Sequence, residues 1–163
     1  MGYARALVVR RSPSTLARGT GPGTASRARR RPERPVIYLD TSVALAHLLA
    51  EDRTPPARLW REPLISSRLL QYEIWTRIHA RKLTRSHGPL VEGLLARVAL
   101  IELAPPVLAR ALEPFPTAVR TLDALHLASL EFLRSQRVAV EFASYDERLL
   151  SVARALKISA YRL

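Results

Sequence analysis

A chain of 163 residues with 48% hydrophobic content is long enough for one domain with its own core. It has no cysteine, which excludes disulfides and cysteine–zinc centres, and no apolar run approaches the ~18 residues of a membrane-spanning helix, so a soluble, cytoplasmic protein is expected. The net charge of +12 is concentrated: residues 1–34 hold nine arginines against one acid, Glu33, and account for +8, which leaves only +4 for 35–163.

Residues 1–34 carry Arg, Ser, Gly, Thr and Pro with little apolar periodicity beyond Ala6–Val9. Such a segment buries too little surface to offset its ordering entropy, and a disordered extension is expected there. Arg27 and Arg29–Arg31 would suit an RNA-contacting arm, but a solvated tail or a start codon placed too early accounts for them more simply. No apolar stretch follows Arg10-Arg11 as an export signal would require. Val36–Leu39 reads as a short buried strand ending on Asp40, with a helix from there to about Ala50. Pro55-Pro56 opens a helical turn ending near Trp60, and Pro63–Ser66 is a second strand. Ser67 is placed to cap a helix running to about Leu83, with Leu70, Ile74, Ile78 and Trp75 as its apolar stripe. Glu73 borders that stripe, where an acid is costly unless it has a partner.

Ser86 opens a further helix to about Arg97, Ala99–Leu103 is a strand, and Pro105-Pro106 begins a helix that stops before Pro114. Thr121 is positioned to cap a helix over Leu122–Ser135. Val138–Ala143 is a strand, Asp146 begins a helix to about Leu156, and Ile158–Tyr161 is a last short strand. Strands alternating with helices predict an α/β fold with a parallel sheet covered on both faces.

Asp40 and Asp146 each close a strand and open a helix, and Asp123 sits in the first turn of an apolar helix. Taken singly, each is an ordinary helix-capping acid, and Glu73 an ordinary half-exposed one. A parallel sheet would bring all four to one edge, the edge where ligands bind in open α/β sheets. Clustered carboxylates raise one another's pKa unless a cation is present, and an oxygen-only cluster suits Mg²⁺ or Mn²⁺. Such an ion activates water and stabilises attack at phosphorus, so the chemistry points to phosphodiester hydrolysis.

Four stretches carry a specific resemblance: Tyr38-Leu39-Asp40-Thr41-Ser42, Ser66-Ser67-Arg68-Leu69-Leu70-Gln71-Tyr72-Glu73, Leu122-Asp123-Ala124-Leu125-His126-Leu127-Ala128 and Ser144-Tyr145-Asp146-Glu147-Arg148-Leu149. In these the chain resembles the PIN-domain ribonucleases, and in particular the VapC-type toxins of type II toxin–antitoxin systems. The resemblance implies a PIN domain over 35–163, with a three-layer fold of parallel sheet flanked by helices. It implies metal ligation by Asp40, Glu73 and Asp123, with Asp146 completing the cluster directly or through water, and Thr41 or Ser42 orienting Asp40. Ser144 stands where many relatives have threonine and keeps the hydroxyl. The implied activity is a Mg²⁺- or Mn²⁺-dependent endoribonuclease, with an RNA substrate, a cognate antitoxin protein and a homodimer. The alternative is a catalytically silent PIN-like module that binds RNA or protein, against which the retention of four acids counts.

Other chemistries are poorly supported. Four of the six glycines lie in the tail, so no Gly-rich phosphate loop exists. His47, His79, His87 and His126 form no helical ligand pair for zinc, and His126 is expected to pack or hydrogen-bond within its own helix. Ser42, a histidine and Asp40 lack the Gly-x-Ser-x-Gly elbow of a serine hydrolase. Arg68, Arg77, Arg81 and Arg120 are candidates for steering an RNA backbone, and Trp60, Trp75 and Tyr72 for stacking on bases.

Overall fold

A computed structural model describes residues 34–163, so all but the last position of the arginine-rich extension expected over 1–34 lies outside the described residues. Five short strands, β1 (Val36–Leu39), β2 (Leu64–Ser67), β3 (Val98–Ile101), β4 (Val140–Ala143) and β5 (Ser159–Ala160), form one parallel sheet in the order β3-β2-β1-β4-β5. The helices are α1 (Thr41–Leu48), α2 (Arg68–Ala80), α3 (Thr84–Leu95), α4 (Pro105–Ala111), α5 (Thr121–Ser135) and α6 (Glu147–Ala155), with a 3-10 turn at Leu59–Arg61.

Alternation along β1 explains the layering. Ile37 and Leu39 point into a core built with Val43, Leu70, Ile74, Ile78, Val91 and Leu94 from α1, α2 and α3. Tyr38 points the other way, into a core built with Leu127, Leu130, Leu133, Leu149 and Val152 from α5 and α6. The expected parallel sheet with helices on both faces is therefore what the chain adopts.

The chain leaves β1 towards β2 and leaves β4 towards β5, so the crossovers diverge between two adjacent strands. That is the switch point of an open α/β sheet, and Asp40 and Asp146 stand just beyond its two strands. The Asp40 amide donates to the Ala143 carbonyl at 3.0 Å, which ties the two strand ends together.

Several local expectations need correction. Helices predicted to reach Ala50, Leu83 and Leu156 stop at Leu48, Ala80 and Ala155. Each ends instead in a left-handed residue that is not glycine: Ala50 (φ 48), Lys82 (φ 57) and Lys157 (φ 58), with Arg137 (φ 61) doing the same after α5. The bonds Glu51 N–H to Ala46, Leu83 N–H to Ile78, Val138 N–H to Leu133 and Ile158 N–H to Ala153 complete four Schellman closures. Without glycine, the stop signal was invisible in the sequence. Ser67 does precede α2, but its hydroxyl is buried without a partner and makes no cap bond. Thr121 is the first helical residue of α5, with Arg120 in the cap position, because Ala124 N–H bonds back to the Arg120 carbonyl at 2.9 Å.

Candidate active site

Asp40 is 5% exposed and caps α1. Its Oδ2 accepts from the Ser42 amide at 3.2 Å, from the Ser42 hydroxyl, and from the Ser144 hydroxyl at 2.8 Å. Oδ1 has no hydrogen-bond donor among the described residues, and His126 Nε2 lies 4.0 Å from it. Of Thr41 and Ser42, the two hydroxyl residues expected to orient Asp40, Ser42 is the one that bonds it. Thr41 does something else: its hydroxyl donates to Glu73 Oε2, because α1 turns it towards α2.

Asp146 caps α6, its Oδ1 accepting from the amides of Arg148 at 2.9 Å and Leu149 at 3.1 Å. Ser144 links the two capping acids, since it donates to Asp40 while its oxygen accepts from the Asp146 amide at 3.0 Å. Asp123 lies in the first turn of α5. Burial pushes its pKa up, the charges of Asp146 and Asp40 add to the rise, and Arg120 opposes it. Asp123 thus stands in the field of both Asp146 and Asp40. Glu73 on α2 approaches the same corner through Thr41.

His126 packs, as one of the two expectations had it, buried and edge-on against Tyr38, but its side-chain hydrogen bonds leave the helix. It does not bond within α5; its Nε2–H donates to Glu73 Oε2 at 2.9 Å, and Nδ1 lies 3.0 Å from the Tyr38 hydroxyl. Its position three residues after Asp123 was the available signal, because i and i+3 share a helix face. Burial disfavours the imidazolium, but the Tyr38 oxygen, Glu73 and Asp40 outweigh it and push His126 up to about 10. Burial likewise raises Glu73, and His126, Thr41 and Arg77 reverse that to leave it below the ordinary value.

A pH window follows for the metal-free protein. His126 contributes stability fully below its ordinary 6.5 and loses that contribution as pH rises through about 10. Glu73 contributes above its ordinary 4.5 and loses that contribution as pH falls below it. The unfolding temperature should decline from near neutrality towards pH 10, and His126→Gln should flatten that alkaline limb. An unchanged limb in that variant, measured by thermal melts across pH, would refute the assignment.

Arginines flank the acids on two sides. A cleft of about 210 Å³ beside Asp123 is lined by Arg120 and Arg148, and a groove of about 670 Å³ beside Ser42 by Arg53, Arg77 and Arg81. Arg68 is engaged elsewhere, bonded to Glu102 at 2.9 Å and Gln71 at 3.1 Å. Trp60 and Trp75 pack against the core and against His47 and His79, whereas Tyr72 is 63% exposed. Ser42 bonds Asp40 and Tyr145 rather than a histidine, so no serine-hydrolase relay forms there.

The donor set fits a hard divalent cation. Among the described residues, Asp40 and Glu73 each have one oxygen held by protein donors and the other free of them. Among the described residues, no three His, Cys, Asp or Glu side chains are drawn together tightly enough to enclose an ion unaided. Mg²⁺, which keeps several waters and takes one or two carboxylates, does not require such a cage.

An open parallel α/β sheet with carboxylates at its switch point defines a class of proteins, and comparison with known sequences identifies the family. Residues 37–155 match the PIN domain, and the chain belongs to that family. It is 32% identical to Ribonuclease VapC47 of Mycobacterium tuberculosis (strain CDC 1551 / Oshkosh) over 126 residues, which covers 73% of this chain and 90% of that protein. It is 28% identical over 129 residues to Ribonuclease VapC35 of Mycobacterium tuberculosis, in both the CDC 1551 / Oshkosh and H37Rv strains, covering 76% of this chain and 94% of the relative. No helix among the described residues is long and apolar enough to cross a membrane.

Proposed function

We propose that this PIN-domain protein is a Mg²⁺- or Mn²⁺-dependent endoribonuclease and the toxin of a toxin–antitoxin pair, acting in the cytoplasm. The observation that carries the reading is the set of acids at the switch point, with one free oxygen each on Asp40 and Glu73 and arginines on both flanks. Similarity along most of the chain to proteins named Ribonuclease VapC47 and VapC35 supports it. Asp40, Glu73 and Asp123 would hold the ion, and Asp146 would complete the cluster directly or through water. A bound ion would supply a water more acidic than bulk water and positive charge for the scissile phosphate. Ser42 and Ser144 keep Asp40 aimed, and Arg77, Arg81 and Arg120, joined by Arg53 and Arg148, would steer the RNA backbone by charge. The catalytic domain spans 35–163. A small antitoxin lying across the acidic cleft and a homodimeric toxin belong to the same proposal.

The test is purified full chain incubated with total RNA, with and without Mn²⁺, alongside thermal melts in the same conditions. Cleavage that needs Mn²⁺, with a melting temperature that climbs with Mn²⁺, is the expected result, because an ion bound only to the folded state stabilises it by mass action. Neither cleavage nor a thermal shift would favour the catalytically silent module.

A further inference from the structure

Three of the four acids sit where a helix N-terminus supplies backbone donors. Asp40 takes the Ser42 amide, Asp146 takes the Arg148 and Leu149 amides, and Asp123 lies in the first turn of α5. Glu73 lies in the middle of α2, where every amide is already used by the helix. Its carboxylate can be held only by side chains, and two reach it: Thr41 from α1 and His126 from α5, both on Oε2.

Of the two, His126 is the rigid one. It is 2% exposed, and its ring meets Tyr38 edge-on, at 5.9 Å between centroids and 88° between planes. Tyr38 is itself fully buried on β1 against Phe142 and places its hydroxyl 3.0 Å from Nδ1. A carboxylate accepts only, so Nε2 carries a hydrogen towards Glu73 whichever way the Tyr38–Nδ1 bond runs. Asp40 continues the extended backbone just past β1, two residues after Tyr38 and on the same face, which is why the same ring stands 4.0 Å from Asp40 Oδ1. A buried chain of contacts therefore runs from the central strand, through α5, to the one acid that lacks backbone support.

We propose that His126, locked by Tyr38, is a positioning residue that fixes the Glu73 carboxylate beside Asp40 so that the free oxygens of both acids are set to receive the metal ion. This rests on the metal-dependent reading above. Without His126, Glu73 keeps one hydrogen bond among the described residues, from the rotatable hydroxyl of Thr41, and the order of the site falls with it.

The test uses the full chain and begins with a readout that needs no metal. Imidazole nitrogen NMR should find the Nε2 proton of His126 in the wild type, and its resonance should move in both Glu73→Gln and Tyr38→Phe. Mn²⁺ binding by calorimetry follows for wild type, His126→Leu, His126→Gln and Tyr38→Phe. His126→Leu should weaken Mn²⁺ binding about 10–100-fold, the range seen when a group that orients a metal ligand is lost. His126→Gln, whose amide N–H reaches the place of Nε2–H, should recover much of that loss, which a purely space-filling role would not allow. Tyr38→Phe should fold normally and show a smaller loss. His126→Leu binding Mn²⁺ as tightly as wild type, or glutamine no better than leucine, would overturn the proposal. Should His126→Leu fail to fold, unchanged Mn²⁺ affinity and unchanged His126 resonances in Tyr38→Phe would overturn it instead. A wild type that takes up no Mn²⁺ overturns the metal reading, and the NMR then decides the hydrogen-bond chain alone: a His126 resonance indifferent to Glu73→Gln sinks it.

Discussion

Asp40→Asn should reduce Mn²⁺-supported RNA cleavage by at least about 10²-fold, the scale on which losing one preorganised electrostatic group acts, while the protein stays folded. Asparagine caps a helix as well as aspartate does, and its carbonyl can still accept from Ser42 and Ser144. What disappears is the charge and, on the cleft side, an acceptor: an amide NH₂ would stand where Oδ1 is now free of donors. An NH₂ group repels a cation that a carboxylate oxygen would ligate. Stability should change little, because the repulsion relieved at Asp123 is set against the attraction lost at His126, and Asp123 should titrate closer to its ordinary range in the variant. Single-turnover cleavage and urea unfolding, run on one preparation, separate the two effects. Cleavage at the wild-type rate by a folded Asp40→Asn protein would remove Asp40 from the reaction and with it the proposed chemistry.

Asp40 and Asp146 were legible in the sequence because each follows a β-branched or aromatic strand and precedes a helix, a pattern readable over six residues. The same local grammar located all five strands and put Ile74 and Ile78 in the core. What escaped were contacts between segments far apart in the chain. The sequence offers Thr41 or Ser42 as the hydroxyl beside Asp40; Ser42 bonds it and Thr41 bonds Glu73, 32 residues away, because the first turn of α1 aims consecutive side chains in different directions. The expectation that His126 packs or bonds within its helix holds for the packing alone: its hydrogen-bond partners are Tyr38 and Glu73, from two other elements. One turn of helix separates Asp123 from His126, so a residue that faces the acids predicts that the other faces them one layer deeper. Helix ends were overrun for a different reason: Ala50, Lys82 and Lys157 adopt the left-handed conformation that glycine would have announced.

Ile74→Ala should destabilise the protein by about 2–5 kcal/mol, whereas Tyr72→Ala, two residues away, should fall within about 0.5 kcal/mol of wild type. Ile74 is fully buried between Leu70 and Ile78 in the core beneath α1, α2 and α3, and Tyr72 is 63% exposed. The loss is a large part of the 5–15 kcal/mol that holds a domain of this kind together. Urea unfolding should show a lower midpoint with an unchanged slope, since the surface exposed on unfolding is nearly the same. Glu73 sits between these two positions and inherits its orientation from them: the buried stripe that fixes α2 against the sheet also delivers the carboxylate to Thr41 and His126. The side-chain contacts on Glu73 lie on the rim of that core, not inside the cavity that alanine would leave. Saturating Mn²⁺ should therefore raise the stability of Ile74→Ala by the same increment as wild type, about 2.7 kcal/mol at one hundred times the dissociation constant. A smaller increment would mean that the cavity lets α2 settle and carries Glu73 away from Asp40, making the core itself part of the metal site. Equal costs at positions 72 and 74 would contradict the orientation of α2 altogether.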